Sequence, residues 1–233
     1  MNYYLYKTKI FLRFFNPKHI YLNSKIFLLT YIDSRLINKY EKSLFVDLGA
    51  NLGQSFHWFS SFYDNNFLTF ELFEPNPFCF QELMKNKNML KKCNIYNLGV
   101  GSRNEKVKFY GLSNNEGGKF AQGGSIVKNH NSISYHTREN SAIYVNLINF
   151  SNYIFQKSNI FNKIVVKMDI EGAEIDVLEN LIKSSAIKKI DILYVEFHSK
   201  YLVKKYKNNI YKKEIELIKK LRKFKNLKLR IWH

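Results

Sequence analysis

An apolar segment that ends in an acidic residue and two spaced glycines is the feature that most constrains how this chain can fold. Residues 44–47 form a short apolar run, and Asp47-Leu-Gly49-Ala-Asn-Leu-Gly53 continues it. Such a run predicts a buried strand. Glycine at its end allows a tight turn and the close approach of a ligand. Apolar residues at helical spacing follow over residues 54–62, so the segment predicts a strand, a binding loop and a helix whose first N–H groups are unpaired.

The rest of the chain repeats this alternation of apolar runs and helical patterns. Alternation of this kind predicts an α/β fold with a mainly parallel, doubly wound sheet and flanking helices. Ligands of such sheets bind outside the carboxyl ends of the strands, where the strand order reverses. Further strands are predicted at residues 68–73, 94–98, 106–110, 143–150, 163–169, 190–197 and 227–232, and further helices at 78–88, 174–183 and 206–224.

Two flanking regions differ in composition from this alternating part. Residues 1–40 are aromatic and basic and predict an N-terminal helical cap, ahead of a main domain over residues 41–233. Residues 111–140 are rich in Gly, Ser and Asn and predict a long loop, a type that is usually functional or mobile. We expect residues 117–124 and the following segment 125–150 to select the substrate.

Acidic residues at two strand ends indicate which cofactor the sheet binds. Dinucleotide enzymes use Gly-x-Gly-x-x-Gly, whereas this chain has Asp47-x-Gly49-x-x-x-Gly53. The Asp47 carboxylate would repel a pyrophosphate but suits a cofactor with an ammonium and a sulfonium group. Glu74 ends the next predicted strand, about twenty residues after Gly53, where a carboxylate can accept both hydroxyls of a ribose. A phosphate-binding P-loop is excluded because no Gly-Lys-Ser/Thr follows.

Four segments within residues 44–198 carry a family resemblance, and the last of them is the most specific. The segments are Val46-Asp-Leu-Gly-Ala-Asn-Leu-Gly-Gln54, Phe73-Glu-Pro-Asn-Pro77, Leu98-Gly-Val-Gly101 and Val166-Lys-Met-Asp-Ile-Glu-Gly-Ala-Glu174. Together they resemble the FkbM family of S-adenosylmethionine-dependent methyltransferases. The resemblance implies a Rossmann-like class I methyltransferase fold, S-adenosylmethionine as cofactor, and O-methyl transfer to hydroxyls of sugars, surface glycans or secondary metabolites.

The resemblance also implies a set of cofactor-binding residues. They lie in the first two segments, and they are Asp47, Gly49, Asn51, Gly53, Glu74 and Asn76. Two departures accompany the match. The family usually carries a Leu-Asp-Asp-like element before the fourth strand, and Leu147-Ile-Asn-Phe150 here lacks the acid. The sequence also stops at His233 directly after a strand, so we expect the antiparallel hairpin that closes this fold to be incomplete.

Candidate catalytic residues lie at the ends of the fourth and fifth predicted core strands. Asp169 ends its predicted strand at the carboxyl end, where we expect it to face the cleft beside the cofactor. Residues two apart share one face of a strand, so we expect Glu196 and His198 to point to the same side. A sugar hydroxyl gains from a base near the attacking oxygen, which leaves Asp169 and His198 as candidates. A divalent cation held by Asp169, Glu196 and His198 is the alternative. We expect Glu174 to cap the helix that it opens.

The charge and cysteine content leave several partners open. The net charge is +18, which favours anionic partners, although a chain rich in Lys, Asn, Ile, Tyr and Phe also reflects an AT-rich genome. Competing hypotheses are therefore an RNA or DNA methyltransferase and a non-catalytic protein on a membrane surface. Asp169-Ile-Glu-Gly172 replaces the Asp/Asn-Pro-Pro-Tyr of amino-methylating DNA enzymes, so nucleic acid is the less favoured partner. Two cysteines and no long apolar run predict a cytoplasmic protein, with peripheral contact at the inner membrane face left open.

Overall fold

The computed structural model describes residues 17–37, 41–63, 68–86, 93–112, 118–120, 122–128, 142–202 and 204–232, with the side chains of 17–23, 204–207 and 232 left aside. Nine strands lie in these ranges. They are β1 (Ser43–Leu48), β2 (Leu68–Phe73), β3 (Cys93–Tyr96), β4 (Gly99–Gly101), β5 (Glu105–Phe109), β6 (Ile143–Asn149), β7 (Lys163–Met168), β8 (Ile192–Glu196) and β9 (Lys228–Trp232).

Six α-helices connect or flank the described strands. They are α1 (Pro17–Ser34), α2 (Gln54–Ser60), α3 (Pro77–Lys85), α4 (Phe150–Ser158), α5 (Glu174–Lys183) and α6 (Lys204–Leu221). Two short 3-10 turns, Ala186–Lys189 and Ser199–Tyr201, precede and follow β8.

The main sheet has six strands in the order β3-β2-β1-β7-β8-β9, and all neighbouring strands in it run parallel. This confirms the predicted α/β fold with a mainly parallel sheet. The strand order reverses between β1 and β7. The switch point therefore lies between the first strand and the first main-sheet strand of the later half of the chain. Asp47 pairs directly with Lys167 across this boundary.

The two faces of the main sheet carry separate apolar cores, because alternate side chains of each strand point to opposite faces. On β1, Leu44, Val46 and Leu48 pack with α4, α5 and α6, whereas Phe45 packs with α2 and α3 on the other face. Burial on both faces explains why these strands read as continuous apolar runs. Asp47 follows the Phe45 side of this alternation, so it lies on the α2 face of the sheet.

Three strands within residues 94–150 form a second sheet, which the sequence did not predict. Its order is β4-β6-β5, with β4 parallel and β5 antiparallel to β6. The predicted strands at 106–110 and 143–150 both belong to it. The short strand β4 was not predicted, since three residues with two glycines carry no apolar alternation.

The predicted strand over 143–150 is too long by one residue, and a helix follows it without a predicted counterpart. Asn149 ends the strand, and its side-chain oxygen accepts a hydrogen bond from the Asn152 N–H at 3.1 Å, which caps α4. Asparagine and aspartate are equally good at this position. In the Leu147-Ile-Asn-Phe150 element, the amide of Asn149 is thus the group that caps α4.

The last strand, β9, pairs parallel with β8. Among the described residues no antiparallel strand pairs with β9, and the completeness of the hairpin stays a prediction. None of the helices in the described ranges combines the length and apolar character that a bilayer crossing requires. The division into residues 1–40 and 41–233 stays a prediction, because residues 1–16 and 38–40 lie outside the described part.

Helix α1 is fastened to the main sheet by a buried carboxylate. Asp33 is fully buried and accepts two hydrogen bonds from the Arg230 guanidinium, at 2.7 Å and 2.6 Å. It also accepts one from the Tyr194 hydroxyl at 2.9 Å, and that hydroxyl lies 3.1 Å from the Tyr63 hydroxyl. The carboxylate therefore joins α1 to β8, to β9 and to the segment after α2.

Replacing Asp33 by alanine should destabilise the protein by about 3–5 kcal/mol, because the Arg230 charge is left without its buried partner. Urea unfolding measured by circular dichroism tests this. Glu82→Ala removes an exposed ion pair with Lys85, of 2.6 Å, and should cost no more than about 1 kcal/mol. Equal losses in the two variants would contradict the assigned role of Asp33.

Candidate functional site

The loop after β1 is held against the ends of β2 and β7. The N–H groups of Gly49 and Ala50 both donate to the carbonyl of Phe73, at 3.0 Å and 3.1 Å. Gly49 has a φ of +77°, and a Cβ placed on it would lie 1.9 Å from the carbonyl oxygen of Asp169. The loop thus crosses directly over the end of β7, a path open only to glycine.

Glu74 ties the loop after β1 to the turn after β2. Its two carboxylate oxygens accept hydrogen bonds from the backbone N–H of Asn51, at 2.7 Å, and of Asn76, at 2.8 Å. Burial raises the pKa of Glu74 to about 7, and the two backbone hydrogen bonds oppose that rise. Each oxygen keeps a further lone pair that is available to a hydroxyl donor. Ribose binding by Glu74 stays a prediction.

Asn51 and Asn76 meet beside the first turn of α3. The Asn76 side-chain oxygen caps α3 by accepting from the Phe78 N–H at 3.0 Å. Its amide nitrogen donates to the Lys119 carbonyl at 2.8 Å and lies 3.2 Å from the Cys79 sulfur, while the Asn51 amide lies 3.6 Å from that sulfur. Asn76 therefore connects the turn after β2 to the described part of the long loop.

Asp47 lies beneath its loop and has a buried cation as partner. Its carboxylate is fully buried, forms an ion pair of 3.1 Å with the Lys167 ammonium and accepts a hydrogen bond of 2.5 Å from Ser55. The same ammonium lies 3.5 Å from Asp169 and donates to the Gly49 carbonyl at 3.1 Å. In this structure the charge of Asp47 is compensated by Lys167, and its carboxylate is closed to solvent.

His198 lies at the centre of a carboxylate cluster at the ends of β7 and β8. Its Nδ1 is 2.9 Å from Glu174 Oε1. Its Nε2 is 3.6 Å from a carboxylate oxygen of Asp169, 3.6 Å from one of Glu171 and 3.8 Å from one of Glu196. Asp169 is the most open of these carboxylates, with 30% of its side chain exposed.

Burial and the neighbouring charges in this cluster shift several pKa values upward. Burial would lower the pKa of His198, but the hydrogen bond and charge of Glu174 and the charges of Glu171 and Asp169 raise it to about 10. Burial raises the pKa of Glu171 to about 8, with His198 opposing and Asp169 adding to the rise. Burial and the Asp169 charge also raise the pKa of Glu196. The His198 imidazole therefore carries a proton at neutral pH.

The prediction that Glu174 caps its own helix is wrong. The residue before it, Ala173, is the N-cap and makes no side-chain cap hydrogen bond. The Glu174 carboxylate instead accepts from the N–H groups of Ile170, at 3.2 Å, and of Gly172, at 3.1 Å, both in the preceding turn. Its second function is to hold His198, which the spacing of the sequence did not indicate.

The structure brings Asp169, Glu196 and His198 together, with ligand atoms that all lie within 4.8 Å of one another. Two members of the cluster were not predicted as site residues, Lys167 and Glu171. Both belong to the Lys-x-Asp-x-Glu-Gly-x-Glu segment, so its dense charges were the available signal. Of the histidines without a predicted role, His57 is exposed on α2, and His130 and His136 lie outside the described residues.

The described part of the long loop passes over this cluster. The Ser125 hydroxyl donates to the carbonyl of Glu171 at 2.6 Å, and the Ser125 backbone pairs with Tyr110. Together with the Asn76–Lys119 hydrogen bond, this fastens residues 118–120 and 122–128 to both halves of the site. Substrate selection by the loop stays a prediction, because residues 113–117, 121 and 129–141 lie outside the described part.

A Rossmann-like sheet with a glycine loop and acidic strand ends at its switch point defines the architecture of a class I methyltransferase. The family model of the methyltransferase FkbM domain matches residues 47–224, which is most of the chain. This chain belongs to the FkbM methyltransferase family.

Comparison with individual proteins adds little to the family match. None of the curated proteins compared with the chain matches it. A solved structure, that of methyltransferase FkbM from Methylobacillus flagellatus KT, is similar at 17% sequence identity and a TM-score of 0.36. The match covers 64% of this chain and 30% of that one, so this chain spans about a third of the length of that relative.

Gly49→Ala should disrupt the site, and Gly118 offers a matched control. Their φ values are +77° and +76°, but a Cβ on Gly118 would meet nothing within 4 Å. Gly118→Ala should therefore cost only the strain of positive φ, about 1–2 kcal/mol. Gly49→Ala should cost about 1–3 kcal/mol more, since the loop must move off Asp169. Thermal unfolding of both variants measures the difference, and equal losses would contradict the close crossing.

Proposed function

We propose that this chain is an S-adenosylmethionine-dependent O-methyltransferase that acts on a sugar hydroxyl of a surface glycan or its precursor. The observation that carries the proposal is the partly exposed Asp169 carboxylate at the switch point, directly beneath the crossing of the Gly49 loop. Membership of the FkbM methyltransferase family supports methyl transfer. The hydroxyl acceptor rests on what the family resemblance implies.

The chemistry of the described residues fits S-adenosylmethionine better than a phosphate-bearing cofactor. The most open side chain of the cluster at the switch point is the Asp169 carboxylate. Negative groups favour the ammonium and sulfonium of S-adenosylmethionine and repel phosphates. Glu74, Asn51 and Asn76 add polar atoms beside the loop, suited to a ribose and a base. When bound, S-adenosylmethionine would supply a methyl group to an oxygen nucleophile, and its sulfur would leave as a neutral thioether.

Within this proposal, Asp169 accepts the proton of the acceptor hydroxyl. It combines a carboxylate with partial exposure to the cleft, whereas the His198 ring is almost fully enclosed. The cationic partners Lys167 and His198 lie on two sides of Asp169, at 3.5 Å and 3.6 Å, and fix the direction of its oxygens. These fixed contacts hold the carboxylate in one orientation towards the cleft before the acceptor binds. His198 thus positions the base and is not itself the base.

The cofactor part of the proposal is tested by isothermal titration with S-adenosylmethionine, where we expect saturable binding with one site per chain. No binding to the folded protein would overturn it. The acceptor part is tested by transfer of a labelled methyl group to a panel of cell-surface glycan, lipid-linked sugar, RNA and DNA. Label on a sugar is expected, and label on nucleic acid would assign the acceptor to the competing class.

Asp169→Asn should lower the turnover number by about 100-fold or more, the usual contribution of a general base. The loss should appear in turnover, with the dissociation constant for S-adenosylmethionine changed by less than tenfold. Asp191→Asn makes the same chemical change before β8, where Asp191 pairs with Lys163 at 2.9 Å, and should retain turnover within about twofold. Full activity of Asp169→Asn would remove Asp169 from the mechanism.

The second candidate for activating the hydroxyl is a divalent cation held by Asp169, Glu196 and His198. The convergence of their ligand atoms within 4.8 Å favours this alternative. With Asp169 as the base, activity should be unchanged by EDTA. Loss of methyl transfer in EDTA, with recovery on addition of Mg²⁺ or Mn²⁺, would assign the role to a cation.

A further inference from the structure

Helix α1 and the turn after it expose large apolar side chains that the site does not use. Five of them have exposed fractions between 43% and 57%, and together they form what we call the α1 patch. The patch consists of Phe27, Leu28, Tyr31, Ile32 and Leu36. Contiguous exposed apolar side chains of this size mark a surface that contacts a partner or a membrane.

The patch lies on one side of α1, opposite the side that holds the helix to the sheet. The four patch residues within the helix, at 27, 28, 31 and 32, fall within about 140° of arc at 3.6 residues per turn. Thr30 and Asp33 point to the other side and are fully buried. The Asp33 contacts with Arg230 and Tyr194 fix that orientation, so the patch faces away from the sheet.

The charges around the patch are positive. Lys25 and Arg35 are exposed at its two ends, and the Arg35 guanidinium lies 4.9 Å from the centre of the Tyr31 ring. Asp33 is the acidic residue among the described side chains of α1, and it is buried and paired. An apolar surface flanked by cations is complementary to an anionic membrane, which attracts the cations and takes up the apolar side chains.

The net charge of the chain indicates whether a membrane or a second copy of the chain covers the α1 patch. Two copies meeting through the patch would bring together Lys25, Arg35 and two net charges of +18. An anionic bilayer attracts the same charges and takes up the apolar and aromatic side chains. Charge complementarity therefore favours the bilayer.

We infer that the α1 patch docks this protein on the surface of an anionic phospholipid bilayer, with Leu28 and Ile32 inserted among the lipid chains. The helix is tied through Asp33 to Tyr194 on β8, the strand that leads to Glu196 and His198. Docking thus fixes how the site is presented to the membrane. An acceptor carried on a lipid would meet the site there, a consequence that rests on the proposed function, whereas the docking itself does not.

The experiment is sedimentation of the full chain with vesicles of phosphatidylcholine alone or mixed 3:1 with phosphatidylglycerol. We expect binding to the mixed vesicles that is at least tenfold tighter than to neutral ones. The double variant Leu28→Glu, Ile32→Glu should lose at least tenfold in affinity for the mixed vesicles. Ile160→Glu is the matched control, because Ile160 and Leu28 are both 57% exposed, and it should bind nearly as the unchanged chain does.

Two outcomes of sedimentation would overturn the inference. One is equal binding of the double variant and Ile160→Glu, and the other is equal binding to neutral and anionic vesicles. A dimer in analytical ultracentrifugation that the double variant abolishes would make a second copy the occupant, which also overturns it. Titration of the double variant with S-adenosylmethionine distinguishes a failure of docking from a failure of the proposed function, since the double variant should bind the cofactor as the unchanged chain does.

A second measurement needs no change in the patch and so does not depend on the folding of the double variant. Trp58 contacts Phe27 at 6.2 Å between ring centres, which puts it directly behind the patch. The chain has two tryptophans, so Trp232→Phe leaves Trp58 as the reporter. Brominated lipids in mixed vesicles should quench its fluorescence. Binding without quenching would place the membrane contact elsewhere and overturn the inference.

Discussion

The buried ammonium of Lys167 is the interaction on which the site depends. It lies between the carboxylates of Asp47 and Asp169 and donates to the carbonyls of Leu48 and Gly49. Burial alone would lower the pKa of Lys167, but the charges of Asp47 and Asp169 raise it above its ordinary value. The cation thus joins the end of β1, the loop over it and the end of β7. Because each charge in such a group is costly without its partners, the three strand-end residues hold their positions together.

On the other side of Asp169, the carboxylate cluster is likewise held together by a buried cation. His198 is the cation there, and Glu174 fixes it through Nδ1. The same Glu174 carboxylate holds the turn in which Glu171 adopts a positive φ of +55°. A strained turn beside the reacting groups persists because its hydrogen bonds over-determine it. Asp169 is therefore held between two cations, while its own carboxylate remains the most open of the group.

Sequence patterns located the elements of the main sheet because its strands are buried on both faces. The helix predicted at 174–183 has the observed bounds, Glu174–Lys183, since its apolar stripe is regular. Strand β4 and helix α4 were missed for opposite reasons. The first is too short for a pattern, and in the second the apolar residues of the preceding strand run directly into the helix, at Phe150. The capping by Asn149 that separates them depends on a side-chain direction, which a strand pattern does not contain.

The sequence by itself determined where most strands of the main sheet lie along the chain, the glycine loop and the acids that end the strands. These follow from local rules, namely apolar periodicity, the conformational freedom of glycine and the period of two along a strand. Only the tertiary structure decided which charges meet. The register that sets Asp47 beside Lys167 and the parallel crossover from β7 to β8 that brings Glu174 to His198 join residues far apart in the chain. Such pairings arise from packing between elements, so no local pattern records that Asp47 is enclosed while Asp169 stays open.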